Sequence, residues 1–367
     1  MRVALIEPYY TGSHRAWADG YTEHSEHQVT PLTHGGAFWK WRMHGAHLTM
    51  GREVERMVAE AGIPDVVLAG SMMNLAALLG ATRHALGSVP VAVYFHESQL
   101  EYPLSSRDRP DHTYSMINWS SAAVADRVFF NSTFHRDVFF DVLPGFLRQF
   151  PDHAHADLIA RVFERSEVLP VGVDLTRFDR AAGSRRGSPP LVVWNQRWEY
   201  DKGPDEIVAL IESLAGSGRE FRVALLGERF VSMPEAFERL PALLGDRLVF
   251  FGRADDDRYT DLLRSADVVV SAAHQEYFGV AVTEAVYAGA CPVLPDRLVY
   301  PERIPPELHS RCLYGDHVDF VAKVAWALDN PDLARALATQ LKPVMAEYDW
   351  SVLAPVYDAA LAEMADT

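Results

Sequence analysis

Cysteine is nearly absent: Cys291 and Cys312 are the only two in 367 residues, and they share no CxxC spacing. This excludes a disulfide-built scaffold and a thiolate zinc site, and it fits a reducing compartment such as the cytoplasm. No apolar run approaches the roughly 18 residues that a membrane helix needs, so no membrane partner is expected. The opening Val3-Ala4-Leu5-Ile6 meets Glu7 and Pro8 at once, far short of the apolar stretch of about 7–15 residues in a secretory leader. Positive charge is also scarce. Lys plus Arg number 34 against 50 Asp plus Glu, a formal net charge of −16, which argues against a protein held to nucleic acid, DNA included, mainly by bulk electrostatics and leaves local basic patches open. No G-x-G-x-x-G follows the first apolar strand, which counts against a nicotinamide enzyme.

What remains is the balance of a folded chain of about two domains, 49% hydrophobic and 23% charged. Short apolar runs at Val3 to Ile6, Asp65 to Ala69, Pro90 to Phe95 and Arg127 to Asn131 alternate with helix-like stretches such as Gly51 to Gly62 and Met72 to Leu86. That alternation predicts an α/β half with a parallel sheet. A second series follows the Gly183 to Pro190 linker, at Leu191 to Trp194, Arg222 to Gly227, Leu248 to Gly252, Asp267 to Ser271 and Cys291 to Leu294. Two such halves imply two Rossmann-like domains facing across a cleft, with a hinge near Leu169 to Asp174. The boundaries expected are 1–173 and 174–349, with 350–367 as a final helix packing back on the N-terminal domain.

The segment His274 to Gly289 carries two glutamates, Glu276 in a loop after a strand and Glu284 inside a helix whose N-terminus can face an anion. Carboxylates suit sugar chemistry because each accepts two hydroxyl hydrogen bonds and stabilises a cationic ring. Tyr277, Phe278, Gly279 and Val280 lie between them and are expected to line a donor. Arg197 and Lys202 follow the first strand of the second half, where two cations can neutralise a leaving diphosphate without a metal. The alternative for that loop is a surface salt bridge. Gly12 and Ser13 form the matching loop of the first half, where absent bulk lets backbone N–H groups approach a phosphate or sugar.

His96 ends another strand and can hydrogen-bond a sugar hydroxyl; a structural histidine is the alternative. The triplet Asp255-Asp256-Asp257 reads as helix capping, and no metal is assigned. Residues 1–180 carry 16 basic and 21 acidic residues and 12 of the 15 histidines. With Lys40, Arg42, Arg52, Arg107, Arg109, Arg136 and Arg148, this half is the better candidate for an anionic partner.

These features resemble glycosyltransferase family 4: the Glu276 and Glu284 pair, Arg197 with Lys202, Val171-Gly172-Val173-Asp174 and the N-terminal glycine loop. The resemblance implies a GT-B fold, a sugar-nucleotide donor on the C-terminal domain, retention of configuration and no obligatory metal or other cofactor. It gives Glu284 the ribose, Glu276 the hexose, and Arg197 and Lys202 the diphosphate. More narrowly, Glu7 to His14, Phe95 to Pro103, Ile117 to Ser121, Phe130 to Ser132, Arg197 to Lys202 and Leu298 to Glu302 resemble the tRNA-queuosine α-mannosyltransferase family. Thr11, Ser98 and Gly203 depart from that family's pattern: Thr11 stands where a Gly-Gly pair and Ser98 where an Asn is expected, and Gly203 keeps the general Lys-Gly pattern that the family more often leaves.

This narrower resemblance implies transfer of mannose from GDP-mannose to the cyclopentenediol of queuosine in the anticodon of the aspartate tRNA, in the cytoplasm. Glu276, Arg197, Lys202 and His96 would be catalytic, and His14, Glu97, Gln99, Lys40 and Arg42 would contact the acceptor. The alternative is a family 4 enzyme using another sugar nucleotide, or a small-molecule, lipid or polysaccharide acceptor. The low content of positive charge favours that alternative.

Overall fold

The computed structural model describes residues 1–103, 111–179, 188–227 and 235–366. Arg107, Arg109 and the linker from Gly183 to Gly187 lie outside them. The chain divides into two compact units, Met1–Val173 with Trp350–Thr367, and Asp174–Asp349.

The first unit runs β1 (Arg2–Tyr10), α1 (Gly12–His24), β2 (Gln28–Gly35), α2 (Trp39–Ala61), β3 (Val66–Gly70), α3 (Leu75–Leu86), β4 (Val91–Phe95), α4 (His112–Val124), β5 (Arg127–Phe130), α5 (Thr133–Leu147), α6 (Ala156–Glu164) and β6 (Ser166–Val168). Its sheet is parallel in the order β2-β1-β3-β4-β5-β6. β3 and β4 are buried along their whole length, as expected of strands covered by helices on both faces. The chain order reverses between β1 and β3, and such a switch point opens a crevice at the carboxyl ends of the strands.

The second unit repeats the plan with β7 (Leu191–Trp194), α7 (Pro204–Gly216), β8 (Arg222–Leu226), α8 (Glu235–Glu238), α9 (Leu240–Leu244), β9 (Leu248–Gly252), α10 (Asp256–Ser265), β10 (Val268–Val270), α11 (Val280–Tyr287), β11 (Cys291–Pro295), α12 (Tyr300–Arg303), α13 (His309–Cys312), β12 (Leu313–Tyr314), α14 (His317–Asp329) and α15 (Pro331–Ala346). Its order is β12-β11-β10-β7-β8-β9, so its switch point falls between β7 and β10. Asp255 caps α10 by accepting from the Arg258 N–H at 2.8 Å, with Asp256 and Asp257 in the first turn. The capping reading of the acidic triplet therefore holds.

Three strands escaped the sequence pattern: β2, β6 and β12. β2 is an edge strand in which only Leu32 is buried, so it has no apolar run to detect, and Pro31 is tolerated at an edge. α2 begins at Trp39 rather than Gly51, and α3 at Leu75 rather than Met72. Asn74 stops α3 from starting earlier, because its side chain caps the Ala77 N–H at 3.0 Å.

The last helix, α16 (Trp350–Ala365), belongs to the first unit. Its Tyr357 hydroxyl accepts from the Trp17 indole at 3.0 Å and donates to the Pro170 carbonyl at 2.8 Å. Asp358 accepts from the Tyr21 hydroxyl at 2.8 Å and from the Glu26 N–H at 2.9 Å. Trp350 fills the space left by two glycines: a Cβ at Gly20 would lie 2.0 Å from its Nε1, and one at Gly172 2.3 Å from its ring. Gly20→Ala and Gly172→Ala should each displace Trp350 and destabilise the first unit by about 1–3 kcal/mol, the usual cost of overpacking. Chemical denaturation followed by tryptophan fluorescence measures this, and an unchanged midpoint would mean that Trp350 moves aside freely.

Candidate functional site

The buried chemistry gathers at the switch points, one cluster in each unit. In the first, Glu7 sits inside β1 and is fully buried. A Cβ on Gly70, at the end of β3, would lie 2.5 Å from its Oε2, so only glycine leaves room for the carboxylate there. Glu7 Oε1 accepts the Tyr9 N–H at 2.8 Å and lies 3.3 Å from His14 Nδ1, while Oε2 lies 3.5 Å from His96 Nε2. Burial works to raise the Glu7 carboxyl, but His14 and His96 outweigh it and hold it well below the usual carboxylate range. Burial, with His14 beside it, pushes His96 down to about 4. His96 is therefore neutral at pH 7.

The rings of His14 and His96 lie 4.1 Å apart, and Trp17 and Tyr94 pack on His96 at 4.6 and 4.7 Å. The ligand atoms of Glu7, His14 and His96 lie within 4.8 Å of one another, a donor set that could also hold a small cation. Because His96 turns Nε2 toward Glu7, Nδ1 is the nitrogen left to meet a hydroxyl. Glu7 itself was missed as a site residue, since a lone acid in an apolar strand carries no local signal.

The loop after β4 is pinned by its neighbours. Asn131 donates to the His96 carbonyl at 2.9 Å, Asn118 accepts the Gln99 N–H at 2.8 Å, and Ser115 donates to the Gln99 carbonyl at 2.7 Å. Glu97 and Gln99, both expected on the acceptor, bond each other at 3.0 Å. Gly12, with φ +50°, and Ser13 open α1 and are exposed. Lys40 is exposed at the start of α2, whereas Arg42 donates to the Gly35 carbonyl at 3.0 Å.

In the second unit, Lys202 ends a short turn after β7 and is buried. Its Nζ donates to the Gln275 carbonyl at 2.6 Å and lies 3.2 Å from Asp201 and 3.4 Å from Glu276. Burial works to lower the Lys202 pKa, but Glu276 and Asp201 outweigh it and hold the ammonium charged. Gly203 permits the approach: its φ is +65°, and a Cβ would meet the Ala272 carbonyl oxygen at 2.2 Å. The Asp201 carbonyl then accepts N–H groups of His274 and Gln275 at 2.7 and 3.2 Å, latching the two loops together.

Glu276 Oε1 accepts the N–H groups of Gly279 and Phe278 at 3.0 and 3.4 Å, so the carboxylate faces the positive end of α11. Arg197 is exposed and paired with Glu199 at 3.2 Å. Lys202, not Arg197, is thus the preset cation of this loop. Tyr277 and Phe278, expected as donor contacts, bury their rings, and Arg303 clamps Phe278 by a 4.1 Å cation–π contact and a 2.9 Å bond to its carbonyl. Gly279, with φ +88°, caps α11, and Val280 opens it half-buried.

Glu284 is buried on α11 and engaged at both oxygens: Oε1 pairs with Arg177, and Oε2 accepts the Tyr259 hydroxyl at 2.6 Å. Burial raises its carboxyl despite both partners. Asn195 donates to the Tyr259 oxygen at 3.0 Å and to the Ala281 carbonyl at 2.7 Å, joining β7 to α10 and α11. The sequence reading missed Arg177 and Tyr259. Arg177, three residues past the hinge Asp174, offered only its position as a signal.

Residues 2–173 match the family described as "tRNA-queuosine alpha-mannosyltransferase N-terminal", and residues 176–342 that described as "Glycosyl transferases group 1". A Drosophila melanogaster protein named tRNA-queuosine alpha-mannosyltransferase is 32% identical over 316 residues, 83% of this chain and 82% of that one. Among solved structures, a sucrose-phosphate synthase from Thermosynechococcus elongatus superposes with a TM-score of 0.73 at 17% identity, covering 99% of both chains. Anabaena HepE in complex with UDP and glucose superposes with a TM-score of 0.71 at 14% identity, covering 99% of this chain and 100% of that one. The fold is GT-B, as expected.

The buried histidines have a consequence for stability. The folded pKa of His96, about 4, lies below its ordinary 6.5, so between those values the unfolded chain binds the extra proton. Stability present above pH 6.5 is lost as the pH falls, and Glu7 adds to the loss at still lower pH. His96 alone should cost on the order of 2 kcal/mol by pH 5. Melting temperatures from pH 7.5 to 5 test this: the wild type should fall and His96→Asn should fall less steeply. Parallel curves would exclude His96 as the group that titrates.

Proposed function

The chain belongs to the tRNA-queuosine alpha-mannosyltransferase family, and from that premise we propose that it transfers mannose from GDP-mannose, with retention of configuration, to the cyclopentenediol of queuosine in the aspartate tRNA. The observation that carries the chemistry is Lys202, a buried ammonium held between Asp201, Glu276 and the Gln275 carbonyl beside the N-terminus of α11. A leaving diphosphate meets there a charge already in place as the glycosidic bond breaks, and Nζ bonds it by giving up its longest contact, to Glu276. Arg197, exposed on the same loop and paired with Glu199, supplies a second cation by turning to the diphosphate. Glu276 accepts hexose hydroxyls at Oε2, since Oε1 already accepts two N–H groups, and Glu284 accepts ribose hydroxyls at either oxygen, each having a lone pair beyond its present partner.

The acceptor hydroxyl attacks the anomeric carbon on the face from which the diphosphate departs, and its proton passes to the departing phosphate oxygen. No enzyme nucleophile is required, and the two cations make a metal unnecessary for the leaving group. In the first unit, Gly12, Ser13 and His96 Nδ1 are placed to meet hydroxyls, and Glu7 fixes the His96 ring. A cytoplasmic location goes with reaction on tRNA, and the two free, buried thiols suit it.

Incubation with GDP-mannose and queuosine-containing tRNA, followed by nucleoside mass spectrometry, should show one hexose added to queuosine. Glu276→Gln should abolish the gain. Lys202→Ala should lower the rate about 10²-fold or more, as loss of a single preorganised donor does. A protein that binds GDP-mannose but leaves queuosine unmodified would move the reading to another acceptor; one that binds no GDP-sugar would move it to another donor.

A further inference from the structure

The start of α2 displays aromatic side chains in a way that packing does not explain. Trp39 is half-buried against Met43, Met72, Ile117 and Tyr114, and Met43 follows it at the i+4 spacing of one helix face. With that face turned inward, Trp41 lies on the outer side, and the residue is 65% exposed. Phe38, at the N-cap, is 80% exposed and holds a left-handed φ of 55°, a conformation unfavourable for a bulky residue. Gly45 leaves space beside Trp41, because a Cβ there would lie 3.2 Å from the indole. Two large rings are thus held out on a rigid helix start where folding would favour polar residues.

The charge around them is as unusual as their exposure. From His27 to Arg52 the sequence has no Asp or Glu, in a chain of net charge −16. Lys40 and Arg42 flank Trp41, and His34 and His44 lie close by in sequence. Arg42 is held by two bonds to the Gly35 carbonyl, at 3.0 and 3.2 Å, and Lys40 lies 5.5 Å from the Trp39 ring. The same segment adjoins the glycine loop: Gly35 pairs with Tyr10 across β2 and β1, and a Cβ at Gly36 would strike the Thr11 side chain at 2.2 Å.

We propose that Phe38 and Trp41 form a stacking platform for unpaired bases of an RNA loop, with Lys40 and Arg42 on its phosphates. The inference rests on the tRNA reading above and extends it to the nucleotides flanking the modified one. Aromatic faces accept any base, and neighbouring cations follow the backbone, which is how single-stranded nucleic acid is held without sequence readout. The segment itself carries no carboxylate, and Asp111, which faces Lys40 and His44 from the start of α4, is an acid set against these cations, so the approach of a polyanion rests on Lys40 and Arg42 outweighing it.

The test uses the full-length protein and a fluorescently labelled anticodon stem-loop RNA, with binding followed by anisotropy. Phe38→Ala and Trp41→Ala should each weaken binding by about 5- to 100-fold, the loss expected for one stacked base. Trp41→Phe should retain most of the affinity, whereas Trp41→Leu, apolar but without a π face, should not. Val318→Ala, at an exposed apolar residue of the second unit, should bind as the wild type does. If the wild type binds RNA and the Phe38→Ala, Trp41→Ala double variant binds equally well, the platform is wrong and the tRNA reading stands. If the wild type binds GDP-mannose but no RNA, both fail. If Trp41→Leu binds as tightly as Trp41→Phe, the patch is an ordinary apolar surface and the stacking role is overturned.

Discussion

An ammonium taken out of water is tolerated only where its charge is answered at close range, and Lys202 shows what that demands of a fold. The Gln275 carbonyl, Asp201 and Glu276 all lie within 3.4 Å of its Nζ. They come from two loops that follow different strands, so the charge cluster can form only when β7 and β10 are neighbours and Gly203 allows the turns to touch. Removing one partner of such a buried group leaves an uncompensated charge at a cost of several kcal/mol. The same contacts that keep Lys202 charged therefore hold the two loops together.

The first unit solves an equivalent problem with the signs reversed. Glu7 is an anion inside a strand, answered by the Tyr9 N–H and by two imidazoles, and the glycine at the end of β3 leaves its space. Both clusters lie at a reversal of strand order, where connections diverge to opposite faces of the sheet and side chains need not fill the gap. Central strands such as β3 and β4 are covered on both sides and admit almost only apolar residues. Polar chemistry collects at the switch points because they are the places where the architecture has room for it.

Charge acts on a shorter scale than the whole-chain total suggests. A net value of −16 is a sum over a surface much wider than the screening length of about 8–10 Å in physiological salt. A segment such as His27 to Arg52, free of carboxylates, can therefore present a locally cationic face. Placement in space matters as well as in sequence, since Asp111 comes close to Lys40 and His44 from another helix.

The sequence by itself determined the sheets and their alternation with helices, since apolar runs bounded by turn residues are a local signal. It also marked Glu276, Glu284 and Lys202, which stand in short motifs at strand ends. It concealed β2, an edge strand with one buried residue, and it gave no sign of Glu7, Arg177 or Tyr259 as site residues. Each of those three acts through partners distant in the chain, such as Glu7 through His96 and Arg177 through Glu284. Tertiary structure alone decided that Arg197 lies at the surface while Lys202 is buried, and that Tyr277 and Phe278 serve the core. Hydrophobic periodicity is written in neighbouring residues, whereas the pairing of charges is settled by which loops the completed sheet brings together.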